Sequence, residues 1–335
     1  MPTPTPHDAL FKAAFGQPDL ARSELELVLP LEVQAHLDLT TLDIVPGSFV
    51  DDDLRQAHTD LLYRVKTRTD GDALVYLLME HQSTFNARMP LRLLRYMVRV
   101  WDRWERDHPT GKLPIVLPVV LQHDRDGWRA APEFAAILDA SPELLAAVGP
   151  YQPLFRFVLD DLAPLSLETL ASRKLHALAL LVQMAFWASR SVKRLQDAAP
   201  RMGAIVSELA RDTRARMLLT QLYVYLLRDA PPEVDAGEVR SILLQIAGPH
   251  GQEDIVNAGE RLIEQGRVEG LAKGHAEGQA EGLRAAVAAT MAARGLALSE
   301  LGRARLAACS EVTVLTTWVT CAATAATEAD VFDAR

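Results

Sequence analysis

Two carboxylates and an amide, Asp60, Glu80 and Gln82, stand out in this sequence as candidate functional groups. They lie in two segments, His58–Val65 and Leu74–Gln82, that read as strands joined by the turn signal Thr69-Asp70-Gly71-Asp72. Alternate residues of a strand share a face, so Glu80 and Gln82 point one way and His81 the other. Directly opposed residues of a hairpin also share a face. Asp60 therefore joins Glu80 and Gln82 only if facing position numbers sum to an even number, which needs an odd-length loop or a bulge at 69–72. Two carboxylates at the end of a covered strand are costly without compensation. A bound cation relieves both desolvation and mutual repulsion. Hard oxygen ligands favour Mg²⁺ or Mn²⁺ over zinc. The bland alternative is that Asp60 caps a strand and Glu80 meets solvent where the sheet frays.

The elements around these residues must hold them. Ala73, Val75, Leu77 and Met79 alternate with Leu74, Tyr76 and Leu78, so the second strand is apolar on both faces and belongs in the middle of a helix-covered sheet. A helix opened by Pro90 follows. Its arginines, Arg92, Arg95, Arg99, Arg103 and Arg106, fall on one stripe about 80° wide. Leu91, Leu94, Val98 and Trp101 make an apolar stripe turned away from it. The arginines are either a solvated face paired with Asp102 and Glu105 or a phosphate-binding patch, led by Arg92 and Arg95.

Elsewhere the pattern predicts a short helix from His7-Asp8 with Phe11 and Phe15 on one face, and a second helix over about 20–37. Asp8 suits the helix N-terminus as a cap. Asp51-Asp52-Asp53 reads as a solvated loop with a lesser claim to a metal role. Lys112–Gln122 is a further apolar strand in which Pro118 suggests an edge or a bulge. His123 at its end reads as structural. Phe155–Asp160 alternates like a last strand, and helices are predicted over 167–187, 203–227 and 232–246.

Net charge is −9, which argues against a generic electrostatic grip on nucleic acid, so DNA binding would need the local arginine patch. The chain of 335 residues predicts one large domain plus an appendage, or two domains. No apolar run is long enough to span a bilayer. The first six residues lack the features of a signal peptide. Cys309 and Cys321 form no metal pattern, and the chain reads as cytoplasmic and reduced, without a membrane partner. Gly266, Gly270, Gly274, Gly278 and Gly282 recur every four residues. Each destabilises a helix by about 1 kcal/mol relative to Ala. Their register implies close approach of another helix, a homodimer through Gly266–Gly282, with a flexible linker as the alternative. An alanine-rich helical tail, with Cys309 inert and buried, completes the chain.

Six strings in order carry a family resemblance. They are His7–Lys12, Val45–Asp51, His58–Tyr63, Glu80–Thr84, Met89–Met97 and Leu117–Leu121. Over about residues 7–250 the chain resembles the Rpn family of recombination-promoting nucleases, a transposase-31-type group, within the PD-(D/E)XK nucleases. The resemblance implies an α/β fold, a central mixed sheet flanked by helices, followed by a helical region and a C-terminal helical tail. The implied division is 1–165 nuclease core, 166–250 helical extension packed on it, and 251–335 glycine-repeat helix and tail. It further implies metal-dependent hydrolysis of DNA phosphodiesters, associated with recombination or mobile elements. Asp60, Glu80 and the backbone carbonyl of His81 would hold Mg²⁺, with Mn²⁺ also possible. Asp8 would be an extra carboxylate near the metal. Arg92, Arg95 and Arg99 would bind DNA. The metal would polarise the phosphate and acidify a bound water. Gln82 stands where the PD-(D/E)XK pattern usually has lysine; it can orient water but cannot supply charge. The alternative is a DNA-binding or assembly protein that keeps the fold without chemistry.

Overall fold

The computed structural model describes residues 5–45, 61–68, 74–82, 84–209, 212–229, 236–248 and 252–332, with the backbone alone for 74–82, 213, 236 and scattered positions between 252 and 273. Asp51–Asp53 lie outside this description. Five strands form one sheet in the order β1 (Leu37–Ile44), β2 (Leu61–Thr67), β3 (Leu74–Gln82), β4 (Ile115–Gln122) and β5 (Val158–Asp161). β1, β2 and β3 pair antiparallel, whereas β3, β4 and β5 run parallel. The strand that is apolar on both faces is thus the third of five. Pro118 lies inside β4, but the β5 ladder begins only at Val119. The first half of β4 is a local edge on that side, where a residue without an N–H is tolerated.

Helices cover both faces. On one side lie α1 (Pro6–Phe15) and α2 (Pro18–Val28). Pro6 and a Thr5–Asp8 capping box start α1, and Phe11 and Phe15 are buried with their rings 5.2 Å apart. The Tyr63 hydroxyl donates to the Phe15 carbonyl at 2.5 Å, fixing α1 to the β2 face. The predicted helix over 20–37 ends at Val28: Pro30 follows, and Leu37 is already strand.

On the other side lies α3 (Met89–Asp107). Its Met89, Leu93, Tyr96, Met97 and Val100 share a core with Leu62, Val116, Val120 and Phe157. The predicted apolar stripe is therefore corrected. Val98 is 42% exposed, and Leu91, Leu94 and Trp101 are only half-buried.

The predicted helix over 167–187 is two pieces, Leu167–Ala171 and α4 (Ala177–Ala188), the latter capped by the His176 ring. α4 has no polar face because it is buried on all sides against α1, α2 and α5 (Val192–Leu209). The helix predicted over 203–227 divides between α5 and α6 (Thr213–Arg228), where the Asp212 carboxylate accepts the Arg214 N–H at 2.8 Å. α7 (Ala236–Ala247) packs on α5.

The chain divides into two compact units, Met1–Gly259 and Glu260–Arg335. A helix of 42 residues, α8 (Gln252–Ala293), carries the glycine repeat. The alanine-rich tail is not one helix. Short helices at Glu300–Ala308, Val312–Ala322 and Glu328–Phe332 pack with the end of α8 around Val287, Met291, Leu315, Trp318 and Phe332. Cys309 and Cys321 are half-buried and unpaired, so the expectation of a buried Cys309 is corrected. Among the described residues no helix is long and apolar enough to cross a membrane.

Candidate active site

The hairpin register decides which positions can share a face. Every β2–β3 pair, from Leu61↔Met79 to Lys66↔Leu74, sums to the same even number. This is the parity that a shared face for positions 60, 80 and 82 requires. Asp60 itself, and the turn at 69–73, lie outside the described residues. For Glu80, His81 and Gln82 the backbone is described, at the carboxyl end of β3. Position 80 is registered with Val120 and position 82 with Gln122 on parallel β4. Residues in register share a face, so positions 80 and 82 stand on the face that α3 covers through Val120.

The carboxyl ends of parallel strands are where open α/β sheets bind ligands. Here β3, β4 and β5 end side by side, with Gln82 against Gln122 and Gln122 against Asp161. Two carboxylates tie down the loops at this edge. Asp124 accepts the Phe85 N–H at 2.6 Å and the Asp126 N–H at 3.0 Å, which fixes the segment entering α3. Asp161 accepts the Trp128 N–H at 2.7 Å and the Ala163 N–H at 3.1 Å. Gly127 permits that turn: its φ is 72°, and a Cβ there would lie 2.9 Å from the Asp161 carboxylate. Gln122 differs from both. It is fully buried, and neither side-chain polar atom has a hydrogen-bond partner among the described residues.

The arginine stripe of α3 begins beside this edge. Arg92 is half-buried and donates from Nε to the Tyr96 hydroxyl at 2.8 Å, its guanidinium 5.6 Å from the ring centre. Tyr96 belongs to the core. Arg95 is exposed and Arg99 half-exposed, and neither forms an ion pair with a described residue. Farther along, Arg103 meets Asp107 at 3.3 Å, a different partner from the Asp102 and Glu105 expected.

Asp8 is elsewhere. Its carboxylate accepts the Thr5 N–H at 3.2 Å and completes the capping box, on a helix bound to the opposite face of the sheet. The capping role is the one realised. Beside it, the His7 ring lies 5.1 Å from that of His123 and 5.2 Å from that of Tyr225. Arg190 donates to the His123 carbonyl at 2.7 Å and contacts its Nδ1 at 2.6 Å, and His123 stacks on Phe186. His123 is structural, as expected.

Burial, then the Arg190 charge, lowers the His7 pKa to about 4, although Asp229 stands 3.5 Å away. Burial raises the Asp229 carboxyl, so the contact holds less charge than its geometry suggests. Between pH 6.5 and 4 the unfolded chain takes up a proton on His7 that the folded chain refuses, so stability falls as pH drops through this window. Asp229 contributes the opposite slope just above its ordinary value. Unfolding free energies from urea titrations between pH 7 and pH 4.5 should therefore fall less steeply in His7→Phe than in the wild type, by about 2 kcal/mol across the range. Equal slopes would contradict the buried neutral imidazole.

Sequence reasoning missed a second buried cluster. Arg173 grips Asp160 with both Nη atoms at 2.6 Å and donates to the Gln183 Oε1 at 2.8 Å. Gln183 donates to Glu24 at 2.5 Å. Burial, then the Asp160 charge, raises the Glu24 carboxyl well above its ordinary range. The only sequence signal was a set of polar residues inside apolar runs.

Among the described residues no three His, Cys, Asp or Glu side chains gather as a metal site. The chain does match a family model described as "Putative transposase, YhgA-like" over residues 5–212. The chain belongs to this family. Individual proteins are similar to parts of it. Recombination-promoting nuclease RpnD of Escherichia coli O157:H7 is 42% identical over 121 residues, 36% of this chain and 46% of that protein. Recombination-promoting nuclease RpnA of Escherichia coli (strain K12) is 42% identical over 119 residues, 36% of this chain and 40% of that protein. Inactive recombination-promoting nuclease-like protein RpnE of the same strain is 37% identical over 121 residues, 36% of this chain and 40% of that protein. The chain thus spans less than half the length of these YhgA-like relatives. No solved structure matches it.

Proposed function

We propose that this YhgA-like protein is a metal-dependent DNA endonuclease of the PD-(D/E)XK type, acting in recombination or on mobile elements. The β2–β3 register is the observation that carries it. Its even parity is what a shared face for positions 60 and 80 requires, and position 80 stands at a strand end on the face that α3 covers. The mixed sheet with helices on both faces and the two nuclease relatives support the same reading. In this assignment residues 1–165 are the nuclease core and 166–250 a helical extension packed on it.

The donor set fits a hard divalent cation: the carboxylates of Asp60 and Glu80 and the backbone carbonyl of His81 are all oxygen. Asp8 is left out, since it caps α1 on the other face. When bound, Mg²⁺ or Mn²⁺ supplies charge against the phosphate and makes water a better nucleophile. Gln82 orients that water through its amide. Arg95 and Arg99, without ion pairs among the described residues, and the N-terminal Arg92 bind backbone phosphates of DNA. A local patch suffices despite the net charge of −9.

The test is cleavage of duplex DNA that requires Mg²⁺ or Mn²⁺ and stops with EDTA. The similarity to the inactive RpnE favours a second reading, a fold kept for DNA binding or assembly. DNA bound but never cut would establish that reading instead. The two unpaired cysteines support a cytoplasmic protein.

We also propose a homodimer through the Gly266–Gly282 stretch of α8. Gly266, Gly270, Gly274, Gly278 and Gly282 are exposed, and a Cβ added at any of them meets nothing within 4 Å. The same helix exposes Ile263 at 75% and Leu271 at 61%. A second copy seated on the bare backbone would cover them. Gly274→Leu with Gly278→Leu should leave helix content intact and convert a sedimenting dimer to monomer. An unchanged sedimentation coefficient would remove the helix pairing.

A further inference from the structure

Burying an amide with neither oxygen nor nitrogen paired is costly, because the lost hydrogen bonds to water are not replaced. Gln122 is such an amide: fully buried, with Oε1 and Nε2 both lacking partners among the described residues. Its neighbour on β5, Asp161, does not serve it: the Asp161 carboxylate is turned to the Trp128 and Ala163 N–H groups and makes no hydrogen bond to Gln122. Its neighbour on β3 is position 82, in direct register. Alternation and register set Gln122, position 82 and position 80 on one sheet face, at the carboxyl end of the parallel strands. A buried polar group kept at that edge without a protein partner needs a reason.

We infer that the Gln122 amide is a working group of this site, hydrogen-bonding the hydrolytic water and the phosphate that it attacks. Oε1 accepts a proton of the water, and Nε2 donates to a non-bridging phosphate oxygen. One planar side chain thus holds nucleophile and electrophile in fixed relation. The water oxygen adds to phosphorus and the bond to the leaving sugar oxygen breaks. A proton from the water reaches that oxygen by way of solvent, while the amide gains and loses none. This assignment rests on the nuclease reading above, and it lends the site a second amide where Gln82 replaces the usual lysine.

Full-length wild type, Glu80→Ala and Gln122→Leu are compared by thermal melting and by duplex DNA cleavage with Mn²⁺. Leucine keeps the volume and removes the unpaired amide. Gln122→Leu should therefore melt no lower than the wild type while kcat falls at least tenfold and KM stays within about threefold. Full activity in Gln122→Leu, alongside an inactive Glu80→Ala, overturns this inference and leaves the nuclease site standing. A melting temperature lowered by several degrees also overturns it, since the amide would then have a structural partner. A wild type that does not cleave, or a fully active Glu80→Ala, overturns the site reading and with it the inference.

Discussion

Arg173→Ala should lose roughly 3–5 kcal/mol of stability, the largest single effect expected in the first compact unit. Among the described residues the guanidinium is the one cation paired with Asp160, and its side chain is 12% exposed against 7% for Asp160. Without it, Asp160 keeps a buried charge and Gln183 loses the donor to its Oε1. Asp160 also anchors β5 to the helical layer, and the adjacent Asp161 clamps the loop at Trp128. Arg173→Lys retains charge without the two-pronged fork and should fall between. Glu24→Gln is the control. Because the Glu24 carboxyl is raised in the folded state, its contribution is present at low pH and is lost as pH rises through the folded value. The amide imitates the protonated acid, so Glu24→Gln should hold stability within about 1 kcal/mol at pH 7. Denaturant unfolding of the three variants reads all of this. A loss below 1 kcal/mol in Arg173→Ala would mean that the cluster is hydrated rather than buried.

Glu80→Ala should reduce DNA cleavage by about a thousandfold or more, with little change in melting temperature. The carboxylate is assigned to the cation, and the remaining Asp60 and His81 carbonyl would not hold Mg²⁺ at comparable affinity. The loss should persist at saturating DNA, since the arginines of α3 are untouched. Retention of activity within tenfold would detach Glu80 from the chemistry.

The parts of the molecule legible in the sequence are those set by local periodicity. The antiparallel pairing of β2 with β3, the central position of β3 and the helix opened near Pro90 all follow from alternation and punctuation by Gly and Pro. The arginine stripe was legible too. Its opposite face was misread because Leu91, Leu93 and Leu94 are adjacent, so two apolar stripes compete on α3. Packing under Leu62 and Val120 selects the one with Leu93, Tyr96 and Met97. Breaks were lost at caps inside the predicted helices: His176 caps the start of α4 and Asp212 the start of α6. Nothing local announces the pairing of Glu24 with Gln183, which stand 159 positions apart in the chain. Nor does anything local give Gln122, whose importance lies in its register with position 82 and its missing partners.

Nicking of supercoiled plasmid by wild type and Asp60→Ala, run in parallel with Mg²⁺, Mn²⁺ and EDTA, is the decisive test of a metal-dependent nuclease at this strand end. Asp60 is the assigned ligand that lies outside the described residues. The wild type should nick with either metal and not with EDTA, and Asp60→Ala should not nick under any condition. Nicking that survives EDTA or persists in Asp60→Ala would contradict it, as would a wild type that binds the plasmid and leaves it intact.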